Sequence, residues 1–217
     1  MTTLTDIYVG VKKDDPKRRK NDFYPTPPLA TYVLCKYAKP PHNVIEPCAG
    51  RGNISIELER QGHSVESYDL HKYDNPLTEI HQQDALDLPW KEPFCGIVTN
   101  PPYHKNLPHK LSEKFIDAFD YTAMFVRLTF LEGIKRKKLF TKHPPSDIIF
   151  LSDRIRFSEK HIEPIERDDQ IGGMIAYMWI IWDKRKDCIN TKVQWVKLDD
   201  EYEEWRESYN SWAESRK

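Results

Sequence analysis

The chain has 217 residues, enough for one domain of ordinary size with a sizeable core. Hydrophobic residues make up 39% and charged residues 31%, the balance of a soluble globular protein. No apolar run approaches the roughly 18 residues that a membrane helix needs, and residues 1–10 lack the basic-then-apolar pattern of a secretory leader. The formal net charge of −1 offers no global attraction to a polyanion, so any contact with nucleic acid must come from local clusters. Three exist: Lys12 to Lys20, Lys135 to Lys138 with Lys142, and Arg154, Arg156 and Lys160. Acidic residues gather instead between Asp199 and Glu207. A basic face with an acidic tail is compatible with a nucleic-acid partner; solvated surface charge is the plain alternative. Cys35, Cys48, Cys95 and Cys188 are too far apart for a zinc site, so a reduced, cytoplasmic protein with no metal and no membrane contact is expected.

In chain order, residues 1–21 are polar and read as a basic arm or loop. Asp22 to Pro28 is stiff and extended, because a residue before proline avoids the helical region. Leu29 to Ala38 reads as a helix with Thr26 as its cap, stopped by Pro40 and Pro41. Short apolar runs then alternate with helical stretches. Strands are expected at 43–46, 64–69, 81–84, 95–100 and 121–128, and helices at 53–61, 111–119 and 130–140, with a turn through Pro89. Such alternation predicts an α/β fold, a mostly parallel sheet with helices on both faces. Two late runs, 147–151 and 174–182, have no helix between them and predict an antiparallel hairpin at one edge. From Asp199 onward, Tyr202, Trp205, Tyr209 and Trp212 recur at helical spacing, which predicts a helix over 199–217 packed on a domain spanning 22–198.

The stretch Ile45 to Gly52 sits where a strand meets a helix, the place where open parallel sheets bind ligands. Gly50 and Gly52 permit a tight turn and bare backbone for a ligand to approach; a sharp turn alone is the simpler explanation. Asp69 ends the next strand, where nucleoside-binding sheets place a carboxylate for the ribose hydroxyls. No third glycine completes a dinucleotide fingerprint, and Glu46 would repel a pyrophosphate. Glu46 suits a ligand carrying an amino group and a sulfonium, and S-adenosylmethionine has both. Asp84 is placed to accept from the adenine amino group of that ligand; each carboxylate could instead cap a helix or lie on the surface.

Val98 to Tyr103 carries the sharpest signal. Two prolines cannot continue a strand, so Pro101 and Pro102 turn the chain out of the sheet stiffly and fix where Asn100 points. The Asn100 side-chain oxygen and the Pro101 carbonyl could bind the two hydrogens of a planar amino group. That would turn its delocalised lone pair toward an activated methyl carbon and stabilise the charge that develops. Tyr103 would stack on the base. The alternative is a strand end capped by asparagine.

With these residues in view, the chain resembles the amino-methyltransferases, and in particular small phage-type N6-adenine DNA methyltransferases. Glu46, Pro47, Cys48, Ala49, Gly50 and Gly52 look like the family's cofactor motif, and Asn100, Pro101, Pro102 and Tyr103 like its catalytic motif. The resemblance implies a Rossmann-like class I fold, S-adenosylmethionine as cofactor and DNA as substrate. It also implies that Phe23, Tyr24 and Thr26 contact the cofactor and that Phe157 packs against an extruded base, with Arg154 and Arg156 on the nucleic-acid side. Arg127 to Gly133 and Ser152 to Phe157 resemble later family segments. Many relatives carry a separate target-recognition domain; here the loops after Tyr103 and between Phe157 and Gly173 would have to serve, with the basic arm. A planar nitrogen is also presented by RNA adenine and by a glutamine amide, and a non-catalytic binding module is a third reading.

Overall fold

The structure is a computed structural model that describes residues 20–87, 95–104, 106–158, 165–186 and 190–215. The arm expected before residue 20, the turn at Pro89 and Lys160 lie outside these residues. A 3-10 turn at Lys20–Asp22 leads into helix α1, Pro28–Ala38, followed by β1, Asn43–Glu46, and α2, Asn53–Arg60. Then come β2, Ser64–Asp69, β3, His81–Gln82, β4, Cys95–Thr99, α3, Leu107–Ala118, and β5, Tyr121–Arg127. Helix α4, Ile134–Lys142, precedes β6, Asp147–Leu151, and the single turn α5, Arg167–Gln170. The chain closes with β7, Tyr177–Asp183, β8, Lys192–Val196, and α6, Leu198–Glu214.

The eight strands form one sheet in the order β3-β2-β1-β4-β5-β7-β6-β8. Only β7 runs antiparallel to its neighbours, β5 and β6. The antiparallel pair expected from the sequence is therefore β6 with β7, and β8 adds one parallel strand beyond it. Side chains alternate across the sheet as a period of two requires. Val44, Val98, Ala123, Phe125, Trp179 and Ile181 join the core beneath α1, α2 and α6. Their neighbours Ile45, Ile97, Met124, Val126, Met178 and Ile180 pack toward α3 and α4 on the other face. Burial on both faces explains why these strands read as continuous apolar runs.

Helix α1 sits at the junction of several elements. Pro28 occupies its first turn, where a missing N–H costs nothing, and the buried Leu29 N–H, which has no partner within the helix, donates to Gln170 Oε1 at 2.9 Å. Thr26, expected as its cap, makes no capping bond because its hydroxyl is engaged elsewhere. Trp179 Nε1 donates to the Ala30 carbonyl at 2.8 Å and pins the helix to β7. Glu201 and Glu204 of α6 take hydrogen bonds from Tyr32, Lys36 and Tyr37 of α1. Tyr202, Trp205 and Tyr209 of α6 are buried in the same core.

Several boundaries differ from the sequence reading: β7 starts at Tyr177 and not at 174, where residues 172–176 form a loop, and β3 ends at Gln82 and not at 84. Helix α3 starts at Leu107 because Asn106 adopts a left-handed conformation (φ 60°) and Pro108 suits a first turn. Helix α4 starts only at Ile134, since Leu128–Leu131 is a 3-10 turn and Gly133 has φ 101°. Strand β8, Lys-Val-Gln-Trp-Val, is not expected from the sequence; Val193 and Trp195 alternate with polar residues but are exposed, and only Val196 is buried. Among the described residues no helix is long and apolar enough to cross a membrane, and no group of His, Cys, Asp or Glu could hold a metal ion.

Trp205 is 1% exposed and stacks between Tyr202 and Tyr209 in the common core. Trp205→Ala should therefore cost about 3–5 kcal/mol, read as a lower urea midpoint with an unchanged slope. A loss below about 1 kcal/mol would mean that α6 is an appendage rather than part of the cooperative unit.

Candidate functional site

The carboxyl ends of β1, β2 and β4 meet at one end of the sheet because these strands run parallel. An open cleft lies there. Its floor is the turn after β1. Gly50 and Gly52 have φ of 61° and 88°, values that side chains adopt only under strain. The turn is held by Gly52 N–H to Ala49 O (2.8 Å), Ala49 N–H to Tyr68 O (2.9 Å) and Gly50 N–H to Asp69 Oδ2 (2.7 Å). The two glycines serve different ends. A Cβ on Gly52 would meet the Thr78 methyl at 2.7 Å, away from the cleft, whereas one on Gly50 would meet the Phe23 ring at 2.8 Å. Gly52 thus lets the 70–80 loop close on the turn and does not line the cleft; Gly50 does.

Carboxylates dominate the polar lining. Glu46 is 1% exposed and accepts from both the backbone N–H and the hydroxyl of Ser55. Burial pushes its pKa well above the usual carboxylate value, with Asp69 adding to the rise and the Ser55 bonds opposing it. Asp69 is raised by burial as well, against the backbone N–H groups of His71 and Gly50 that bond it. Asp84 lines the cleft, but its Oδ1 accepts from Leu86 N–H at 2.8 Å, so one oxygen serves a local turn. Asp22 adds a fourth carboxylate, 2.6 Å from His104 Nδ1. Such a cleft favours a cation and disfavours phosphate.

The segment 22–26 forms the roof. Phe23 stacks on Tyr73 with ring centroids 4.7 Å apart, and burial pushes the Tyr73 phenol up to about 12. Tyr24, Thr26, Pro47, Cys48, Ala49, Asn100 and Pro102 also face the cleft. Asn100 joins roof to strand: its Nδ2 donates to Tyr24 O at 3.0 Å and to Thr26 Oγ1 at 2.9 Å. A carbonyl can only accept, so these partners assign the nitrogen and leave the oxygen facing the other way. That oxygen accepts from the Tyr103 hydroxyl, which also lies 3.2 Å from Phe125 O.

Tyr103 consequently does not stand in the cleft as a stacking platform. Its ring lies under the Arg127 guanidinium at 4.8 Å and against Tyr177 at 6.0 Å, and its phenol pKa is pushed well above the usual value by burial. Pro101 is buried behind the lining. Phe157 packs behind Tyr24 at 5.3 Å, and Arg154 and Arg156 lie exposed outside the cleft. The sequence reading missed Asp22, Tyr73 and His104 as lining residues. His104 directly follows the Asn100–Tyr103 motif, a position that could have flagged it; Tyr73 lies in a loop without periodicity.

Comparison with protein-family models and with curated proteins returns no match for this chain. Solved structures match in fold. A protein from Pyrococcus horikoshii assigned as an RNA methyltransferase aligns over 79% of this chain and 90% of its own, at 14% identity and a TM-score of 0.54. A Listeria monocytogenes protein assigned as a class I S-adenosylmethionine-dependent methyltransferase aligns over 82% of this chain and 68% of its own, at 13% identity and TM-score 0.51. The modification subunit assigned to a type I restriction enzyme of Vibrio vulnificus aligns over 84% of this chain at 12% identity and TM-score 0.51; the chain spans only 52% of that subunit. The chain has the Rossmann-like fold of class I methyltransferases.

Proposed function

We propose that the protein transfers a methyl group from S-adenosylmethionine to the N6 amino group of adenine in DNA. The observation that carries this reading is the orientation of Asn100. Both of its amide hydrogens are engaged by Tyr24 O and Thr26 Oγ1, so its oxygen is held as an acceptor beside a cleft lined by carboxylates.

The lining fits the cofactor by charge. Glu46, Asp69 and Asp84 complement an ammonium and a sulfonium, and Asp69 retains lone pairs for ribose hydroxyls beyond those given to Gly50 and His71. Phe23, Tyr24, Thr26, Pro47, Cys48, Ala49 and Gly50 supply the remaining walls. When bound, S-adenosylmethionine supplies a methyl carbon made electrophilic by the sulfonium.

Asn100 Oδ1 keeps one lone pair beside the bond from Tyr103 and with it accepts a hydrogen of the target amino group, whereas Pro101, the second acceptor expected from the sequence, lies behind the lining and serves to stiffen the turn. Accepting that hydrogen draws the nitrogen lone pair out of conjugation and stabilises the positive charge that develops on nitrogen. The groups are pre-set by the prolines and by the bonds to segment 22–26, so no reorganisation is needed at the reaction step. Tyr103 is a positioning residue in this scheme and takes no part as a stacking platform. No strong base is required, because a methylated ammonium of this kind loses its proton to water. Exposed Arg154 and Arg156 favour a nucleic acid over a glutamine amide, and the resemblance of the Asn100–Tyr103 motif to N6-adenine DNA methyltransferases favours DNA; the fold itself is shared with both a restriction-modification subunit and a protein assigned as an RNA methyltransferase.

Three outcomes test this reading. Labelled methyl groups should enter DNA and be recovered as N6-methyladenine after nuclease digestion; label found only in RNA or protein overturns the substrate, and cofactor binding without any transfer overturns the activity. Asn100→Ala should lower kcat by about 10²–10³ and weaken cofactor binding far less, because the acceptor is lost outright whereas the roof loses one tie. Asp69→Ala should weaken cofactor binding by about tenfold or more, measured by calorimetry, and unchanged affinity would remove Asp69 from the ribose site.

A further inference from the structure

On the DNA reading, the target base must leave the helical stack before its amino group can reach Asn100. We infer that the loop entering β7 opens the duplex, with Met174 as the wedge that enters the base stack. Met174 is 92% exposed and Ile175 38% exposed. Neither sits on a loose tail. Gly172 and Gly173 N–H both donate to Arg154 O, at 2.7 and 3.1 Å, and the Arg154 guanidinium donates to Met174 O at 2.6 Å. Ile155 and Ile171 form an antiparallel bridge beneath. The two segments are so close that a Cβ on Gly173 would lie 1.6 Å from the Ile155 carbonyl oxygen, a contact only glycine permits. The chain thus uses a rigid frame to hold a large apolar side chain in water.

Its location suits the task. Tyr177 pairs with Arg127 at the carboxyl end of β5, which runs parallel to β4, so the loop rises at the same end of the sheet as Asn100. Phe157 bridges the two, 5.2 Å from Tyr177 and 5.3 Å from Tyr24, which lines the cleft. Leu128 N–H bonds Ala176 O at 3.2 Å, which places the start of the next loop, with exposed Leu128, against the same rim.

The surrounding charge identifies the partner. Among the described residues the guanidinium bonds of Arg154 and Arg156 go to backbone carbonyls, which carry no net charge to cancel theirs. The adjoining turn α5 carries Asp168 and Asp169, so the positive charge at the tip comes from Arg154 and Arg156 themselves. An apolar tip held by these two cations matches a polyanion with a stacked apolar interior. Unbranched and branched aliphatic side chains are the ones that proteins drive between base steps.

The test compares methyl transfer to mixed-sequence duplex DNA with transfer to the same DNA after heat denaturation. Met174→Ala should lower the duplex rate about tenfold and leave the single-strand rate within about twofold, because bases already unstacked need no wedge. Met174→Leu should restore the duplex rate. Equal loss on both substrates, or no loss on either, overturns the wedge while leaving the methyltransferase reading intact. Wild-type transfer to RNA or protein but to neither form of DNA overturns the substrate reading and the wedge with it. Met174 is solvent-exposed, and unchanged thermal unfolding of the variant confirms that folding is not what is being read.

Discussion

The Asn100 side chain ties together two stretches of chain that are 74 residues apart, the proline-rich segment before α1 and the proline-stopped end of β4. Its two amide hydrogens reach Tyr24 O and Thr26 Oγ1, and its oxygen meets Tyr103. Prolines on either side, Pro25, Pro27 and Pro28 on one and Pro101 and Pro102 on the other, remove much of the backbone freedom that would otherwise be lost when the tie forms. The roof of the cleft, the orientation of the amide and the burial of Tyr103 all follow from this one junction.

The same cleft concentrates acids where water is scarce. Glu46 and Asp69 both have folded-state pKa values raised chiefly by burial, from ordinary values of 4.5 and 3.8. A raised acid pKa means the folded chain holds protons more tightly than the unfolded chain. Stability therefore declines as pH rises from those ordinary values through the folded ones, and the unliganded protein carries that cost at neutral pH. Hydrogen bonds from Ser55, Gly50 and His71 offset part of it. A cation in the cleft would offset more, which is the usual relation between a strained site and its ligand.

Much of this architecture was legible in the residues. Strands β1, β4, β5 and β7 bury both faces, so their apolar runs marked them without any need for context, and Pro40 with Pro41 marked the end of α1. The Asn100 motif and the glycine turn lie at one end of the sheet because parallel strands carry their carboxyl ends together. What was not legible depended on contacts remote in sequence. The Gly52 position faces Thr78, and the Asp22 carboxylate meets His104 across 82 residues. Tyr103 looked like a base-stacking residue because aromatic neighbours of such motifs are commonly exposed; only the hydroxyl bond to Asn100 and the Arg127 guanidinium reveal that it belongs to the wall. Strand β8 is a short edge strand whose alternating Val193 and Trp195 are exposed, so it is tied to no core that would mark it.

The Gln170 side chain, which satisfies the first free N–H of α1, joins the start of that helix to the α5 turn. Its backbone carbonyl accepts from Arg156 N–H at 2.7 Å, so the residue belongs mechanically to the rim that carries Arg154 and Arg156. Helix α1 in turn follows directly on the roof segment. Occupancy of the rim and occupancy of the cleft therefore load the same joint. By linkage, whatever one occupant contributes to the affinity of the other is returned in equal measure.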